Sequence, residues 1–106
     1  MKKQDYEALA NALKIAKAKA LEMRTIEDTG TCNFDSPLLL LVGTSETTLE
    51  KLFGSEYGVY KRGIGAYVIG YKILEGQGWR RTKMAETFAN ALREQGYKAY
   101  TYYAMD

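Results

Sequence analysis

Leu38-Leu39-Leu40-Leu41-Val42, bounded by Pro37 and Gly43, is the most apolar run of this 106-residue chain and the anchor for reading its architecture. A continuous apolar run of this length suits a strand covered on both faces. It is far too short to span a bilayer, which takes about 20 apolar residues in a helix. Leu40 and Leu41 are then expected in the middle of a central strand.

On the C-terminal side, Thr44 or Ser45 can cap a short helix that runs to Phe53. Glu46 lies in its favourable first turn, and Gly54 stops it. Leu49, Leu52 and Phe53 give it one apolar side. Residues 57–61 predict a strand, Arg62-Gly63-Ile64-Gly65 a turn, and residues 66–74 the longest strand, with Tyr67, Ile69, Tyr71 and Ile73 on one face. Met84, Phe88 and Leu92, flanked by Ala85 and Ala89, form the stripe of a helix over residues 81–95 that Gly96 ends. Residues 97–103 predict a closing, tyrosine-rich strand.

On the N-terminal side, residues 25–37 break all periodicity, and Gly30, Asn33, Asp35, Ser36 and Pro37 favour turns. Before them, Tyr6, Leu9, Leu13, Ala16, Ala20 and Met23 recur at spacings of three and four, a helix within residues 1–24. Two placements of this helix stay open: against its own sheet, or against a second copy through the Leu9 and Leu13 stripe. The whole chain reads as one domain, residues 1–106, of α+β class. Residues 38–106 form a βαββαβ core, the ferredoxin-like split arrangement, with an extra N-terminal helix. In that order the first and third strands are central. The turn at residues 30–37, the turn at residues 75–81 and the tail at residues 103–106 then converge at one end of the sheet, and Lys61-Arg62 belongs to the other.

Composition narrows the chemistry. The chain has no histidine, which removes the commonest general base and metal ligand and every Ser-His or Cys-His pair. Its one cysteine, Cys32, permits no internal disulfide and no thiolate metal cluster. A cytoplasmic setting follows as the default, with no cofactor and no metal expected. No leader segment is expected, because Met1-Lys2-Lys3-Gln4-Asp5 leads into a charged helix rather than an apolar run. Net charge is +2, so bulk charge does not argue for nucleic acid.

Gly76-Gln77-Gly78-Trp79-Arg80-Arg81-Thr82 runs directly into the last helix. Glycines let backbone approach a ligand, the helix N-terminus presents unpaired N–H groups, and two guanidinium groups add positive charge. This is an expected seat for a phosphate or carboxylate. With Cys32, Asn33, Asp35 and Asp106 from the converging segments, it forms the expected partner- or anion-binding patch. The competing reading is a turn network in which Asn33 and Asp35 bond local backbone and the arginines pair with Asp35 or Asp106. Arg62-Gly63-Ile64-Gly65-Ala66-Tyr67-Val68 resembles the RNP1 motif of RNA-recognition motif domains but departs from it, with Ile64 and Ala66 where stacking aromatics stand. The nine tyrosines follow strand propensity, and their hydroxyls also suit a binding face.

Gly30-Thr31-Cys32-Asn33-Phe34-Asp35-Ser36-Pro37, the stretch from Gly76-Gln77-Gly78 through Arg80-Arg81-Thr82-Lys83-Met84-Ala85-Glu86, and the ending Tyr102-Tyr103-Ala104-Met105-Asp106 resemble small uncharacterised proteins carried by phages and integrative elements of Gram-positive bacteria. The resemblance implies an accessory protein of a mobile element, of the kind that antagonises host defence, anti-CRISPR proteins included. The resulting expectation is a non-enzymatic protein that binds a host protein or nucleoprotein complex, without a membrane. The alternatives are a nucleic-acid or nucleotide binder, which would use the residue 76–81 edge, and a cysteine-dependent enzyme built on Cys32.

Overall fold

The computed structural model describes residues 1–105; Asp106, placed in the expected patch, lies outside them. Helix α1 spans Lys3–Glu22 and ends in a 3-10 turn, Met23–Thr25. It is followed by β1 (Ser36–Leu40), α2 (Glu46–Phe53), β2 (Val59–Gly63), β3 (Ala66–Ile69), α3 (Trp79–Glu94) and β4 (Lys98–Tyr102). The protein is α+β, with one four-stranded sheet in the order β2-β3-β1-β4. Every neighbouring pair is antiparallel, and β1 and β3 are central.

Local chemistry accounts for most boundaries. Ser45 caps α2 by accepting the Thr48 N–H at 3.2 Å, and Gly54 ends it. Asp5 accepts the Lys2 N–H at 2.9 Å at the start of α1. Strand β3 stops at Gly70 rather than continuing to residue 74, because Gly70 turns the chain at φ 86°. A side chain there would meet the Phe88 ring at 3.3 Å. Tyr71 and Ile73 therefore lie beyond the strand. Strand β1 starts two residues earlier than residue 38, and Val42 projects past it, 82% exposed.

The apolar run is covered on one face only, which corrects the expectation of a doubly covered strand. Leu39, Val59, Tyr67, Ile69 and Ala99 point toward the helices and join one core with Leu9, Leu13, Leu49, Met84, Phe88 and Leu92. Leu38 and Leu40 point the other way, in register with Val68 and Ala66. All three helices contribute to this one core, and α1 packs most extensively against α3. Ala12, Ala16 and Ala20, small and buried, let the α1 backbone come close. Leu9 and Leu13 are consumed inside their own chain, so the N-terminal helix is not a stripe left over for a second copy.

Two substitutions separate the faces. Leu39 is wholly buried, and burying an unpaired carboxylate costs several kcal/mol, comparable to the stability of a small domain. Leu40, one residue on, is 37% exposed. Leu39→Asp should abolish cooperative thermal unfolding, whereas Leu40→Asp should retain it. Equal melting of the two variants would contradict the assignment of faces.

Candidate functional site

The three segments expected to converge do so. Asn33 forms an isolated antiparallel bridge with Met105, and the Phe34 N–H donates to the Ala104 carbonyl at 2.6 Å. The Asn33 N–H donates to the Gln77 carbonyl, and the Trp79 N–H to the Thr29 carbonyl, both at 2.6 Å. The residue 30–37 turn, the glycine turn and the chain end are thus hydrogen-bonded into one structure.

An anion sits at the start of α3, and it belongs to the chain. Gly78 occupies the N-cap position and has no side chain to cap the helix, and no acidic residue lies in the first turn. Asp28, 50 residues before Gly78, fills the role. Its Oδ1 accepts the N–H groups of Gly78 at 3.0 Å and Arg80 at 3.1 Å, and its Oδ2 accepts that of Gln77 at 2.9 Å. These bonds, that from Gln77 foremost, hold the Asp28 carboxyl below its ordinary pKa. The glycines serve this contact. Gly76 has φ 89°, and a Cβ there would lie 2.7 Å from Asp28 Oδ2. A Cβ at Gly78 would lie 2.4 Å from the Thr29 carbonyl oxygen. An external phosphate or carboxylate would have to displace Asp28 to reach these N–H groups.

The other polar residues of the patch are also engaged. Asn33 accepts the Asp35 N–H through Oδ1 and donates through Nδ2 to the Gly78 carbonyl and the Thr82 hydroxyl. Asp35, nearly buried, accepts the Thr82 hydroxyl at 2.6 Å and the Ala104 N–H at 2.9 Å. Arg80 donates through Nε to the Ile26 carbonyl. Arg81 donates through Nε to the Asp35 carbonyl and through Nη2 to Ser36 Oγ. Burial pulls the pKa of Arg81 down, opposed by the charge of Asp35 and by Tyr60. Cys32 is exposed, and its thiol lies 3.6 Å from the Gln77 amide oxygen. Trp79 is half-exposed beneath the Lys83 ammonium, 4.7 Å from its ring centre, and borders a cleft of about 320 Å³ with Thr29, Gly30, Thr31, Asn33 and Thr82.

Sequence reading missed Asp28 and gave Thr82 no role of its own. The available signal was a helix opening on glycine with no acidic residue in its first turn, which requires an acceptor from elsewhere. Sequence reading also missed the second face of the sheet. Phe34 and Tyr100 are at least half-exposed, as is Tyr103 near the chain end. Register puts Leu38, Val68, Tyr60 and Tyr100 on one row, with Tyr102 opposite Ser36 and Lys98 opposite Leu40. Arg62, the extra residue at the irregularity between Lys61 and Gly63, crosses this face to β4. Its Nη2 donates to the Tyr102 hydroxyl at 2.5 Å, and its guanidinium stands 5.0 Å from the Tyr102 ring centre. Arg62 is therefore not confined to the far end of the sheet. Ile64, by contrast, is fully exposed at the hairpin tip and off the sheet face. Among the described residues no cluster of three or more Cys, Asp or Glu side chains is placed to hold a metal ion, and no helix is long and apolar enough to cross a membrane.

The Asp28 contact has a pH signature. A carboxyl whose folded pKa is depressed stabilises the fold above its unfolded value, ordinarily 3.8, and that stabilisation is lost as pH falls through the lower folded value. Asp28→Asn should melt below the parent at neutral pH, and the gap should close as the solution is acidified below about pH 4. A gap independent of pH would show that charge is not what matters at this position. Gly78→Ala, which forces a methyl group onto the Thr29 carbonyl, should cost about 1–3 kcal/mol in urea unfolding.

Compared with known proteins, the chain matches no family model, no curated protein and no solved structure.

Proposed function

We propose that this chain is a non-enzymatic binding protein and that it meets its partner with the uncovered face of the sheet. One observation carries the reading. The three helices share a single core on one side of the sheet, and the other side presents Phe34, Tyr60 and Tyr100 beside Arg62 and Lys98. Aromatic and arginine side chains dominate binding energy at interfaces, and an exposed apolar area rimmed by polar groups marks a contact surface. The polar residues of the convergent edge are, by comparison, engaged in holding α3, β1 and the chain end together.

The resemblance to proteins of mobile elements makes the partner a component of a host defence nucleoprotein or nuclease, as for an inhibitor of the anti-CRISPR type. A cytoplasmic setting belongs to the same proposal, since one cysteine leaves no internal disulfide. The sheet order, read from β4 through β1 and β3 to β2 with all neighbours antiparallel, supports a ferredoxin-like assignment. A binding role rather than catalysis is favoured by a chain without histidine, whose one thiol faces a Gln77 amide that neither gives nor takes a proton near neutrality.

Affinity capture from lysate of a Gram-positive host, read by mass spectrometry, tests the reading. Tyr100→Glu on the uncovered face should lose the captured partner, and Arg80→Ala at the convergent edge should keep it. The same captured set from parent and Tyr100→Glu would sink the proposal. Cys32→Ser should capture as the parent does; loss of capture with the fold intact would point to thiol chemistry instead.

A further inference from the structure

We infer that the uncovered sheet face binds single-stranded nucleic acid, with Tyr100, Tyr60 and Phe34 as stacking platforms and Arg62 and Lys98 toward the phosphates. The inference rests on the reading of this face as the binding surface and names its occupant.

Charge selects the occupant. None of the strand positions on this face carries a carboxylate, although the chain as a whole has nearly as many acidic as basic residues, 13 against 15. Arg62 and Lys98 come from opposite edge strands, and Arg62 reaches across the face to Tyr102, so its guanidinium and the Lys98 ammonium both belong to the β4 side of the aromatic surface. Arg81 adds a third cation at the margin beside Ser36, with only two of its five N–H donors bonded among the described residues. Such a surface attracts polyanions and repels another copy of itself. Edge pairing between copies is also impeded. On β2, Glu46 accepts the Lys61 N–H at 2.7 Å, and on β4, Arg93 donates to the Ala99 carbonyl at 2.7 Å.

Shape selects a single strand over a duplex. Tyr100, 50% exposed, lies on β4, and Phe34, 56% exposed, lies just before β1 beside Ala104, so neither stands on a projecting helix. Side chains two residues apart on one strand are about 6.8 Å apart. A base on Tyr100 and one on the Arg62 guanidinium that lies over Tyr102 are therefore splayed, not stacked on each other. Bases in a duplex hide their faces, whereas in a single strand each base can lie on a ring. The Arg62 guanidinium already beside the Tyr102 ring extends this platform with a planar cation. A net charge of only +2 is modest for binding carried by phosphates alone, so stacking has to supply a large share.

Fluorescence anisotropy of labelled oligothymidylate and oligouridylate of about 12 nucleotides, with a mixed-sequence duplex for comparison, tests the inference. The single strands should bind and the duplex at least about tenfold less tightly. Three phosphate contacts predict that log K falls by about 2 per tenfold rise in salt, and Arg62→Ala should reduce that slope by about 0.7. Tyr100→Ala should weaken binding about tenfold, whereas Tyr100→Phe, which keeps the ring, should bind nearly as the parent does. Failure of both single strands to bind at about 50 mM salt, or equal binding of the duplex, overturns the inference. If no oligonucleotide binds and lysate capture still depends on Tyr100, the face docks a protein, and only the nucleic-acid occupant is refuted. If neither depends on Tyr100, the binding-face reading fails as well.

Discussion

The Asp28 carboxylate, laid across the backbone N–H groups of Gln77, Gly78 and Arg80, is the contact on which the rest of the convergent edge depends. It supplies the charge and the acceptors that α3 lacks at its own N-terminus, where Gly78 stands as cap and two arginines follow. It also ties the segment leaving α1 to the opening of α3. Thr29 and Asn33 continue that seam to Trp79 and Gln77, and Asp35 extends it to Thr82 and Ala104. Ordering a turn-rich segment opposes folding through backbone entropy, and a run of short hydrogen bonds offsets it. A cluster of glycines, arginines and an exposed tryptophan that resembles a ligand site is, in the folded chain, largely a joint.

The second organising constraint is that every helix lies on one side of the sheet. The amphipathic stripe of α1 needs a cover, and it finds one on α3, where Ala12, Ala16 and Ala20 permit close approach. With α1, α2 and α3 all on the Leu39 side, the Leu38 side has no layer above it. Val68 at its centre is nonetheless fully buried, in a row with Tyr60, Leu38 and Tyr100. The bare face is therefore closed by large aromatic side chains and by the Arg62–Tyr102 pair, which exclude water and still leave rings and cations at the surface. One set of residues thus closes the face beneath and presents rings and cations above.

Class and element order are legible in the amino-acid sequence alone. Alternating apolar spacing, caps such as Ser45 and stops such as Gly54 and Gly96 act over a few residues, so they are legible locally. The central position of β1 and β3 and the meeting of the residue 30–37 and 75–81 turns followed from that order. The remaining features depend on contacts between residues far apart in the chain. Whether Leu40 is core or surface turns on which side receives the helices, and a run of five apolar residues has no period to reveal it. That Asp28 rather than an outside anion holds the α3 N-terminus is a contact across 50 residues; the helix start signals the need for an acceptor, but no local pattern names which residue supplies it. That Arg62 meets Tyr102 requires the two edge strands to lie on one sheet with their side chains on the same face. Local hydrogen bonding and helical or strand period are properties of neighbours along the chain; the filling of a helix end and the exposure of a face are properties of what the fold brings beside them.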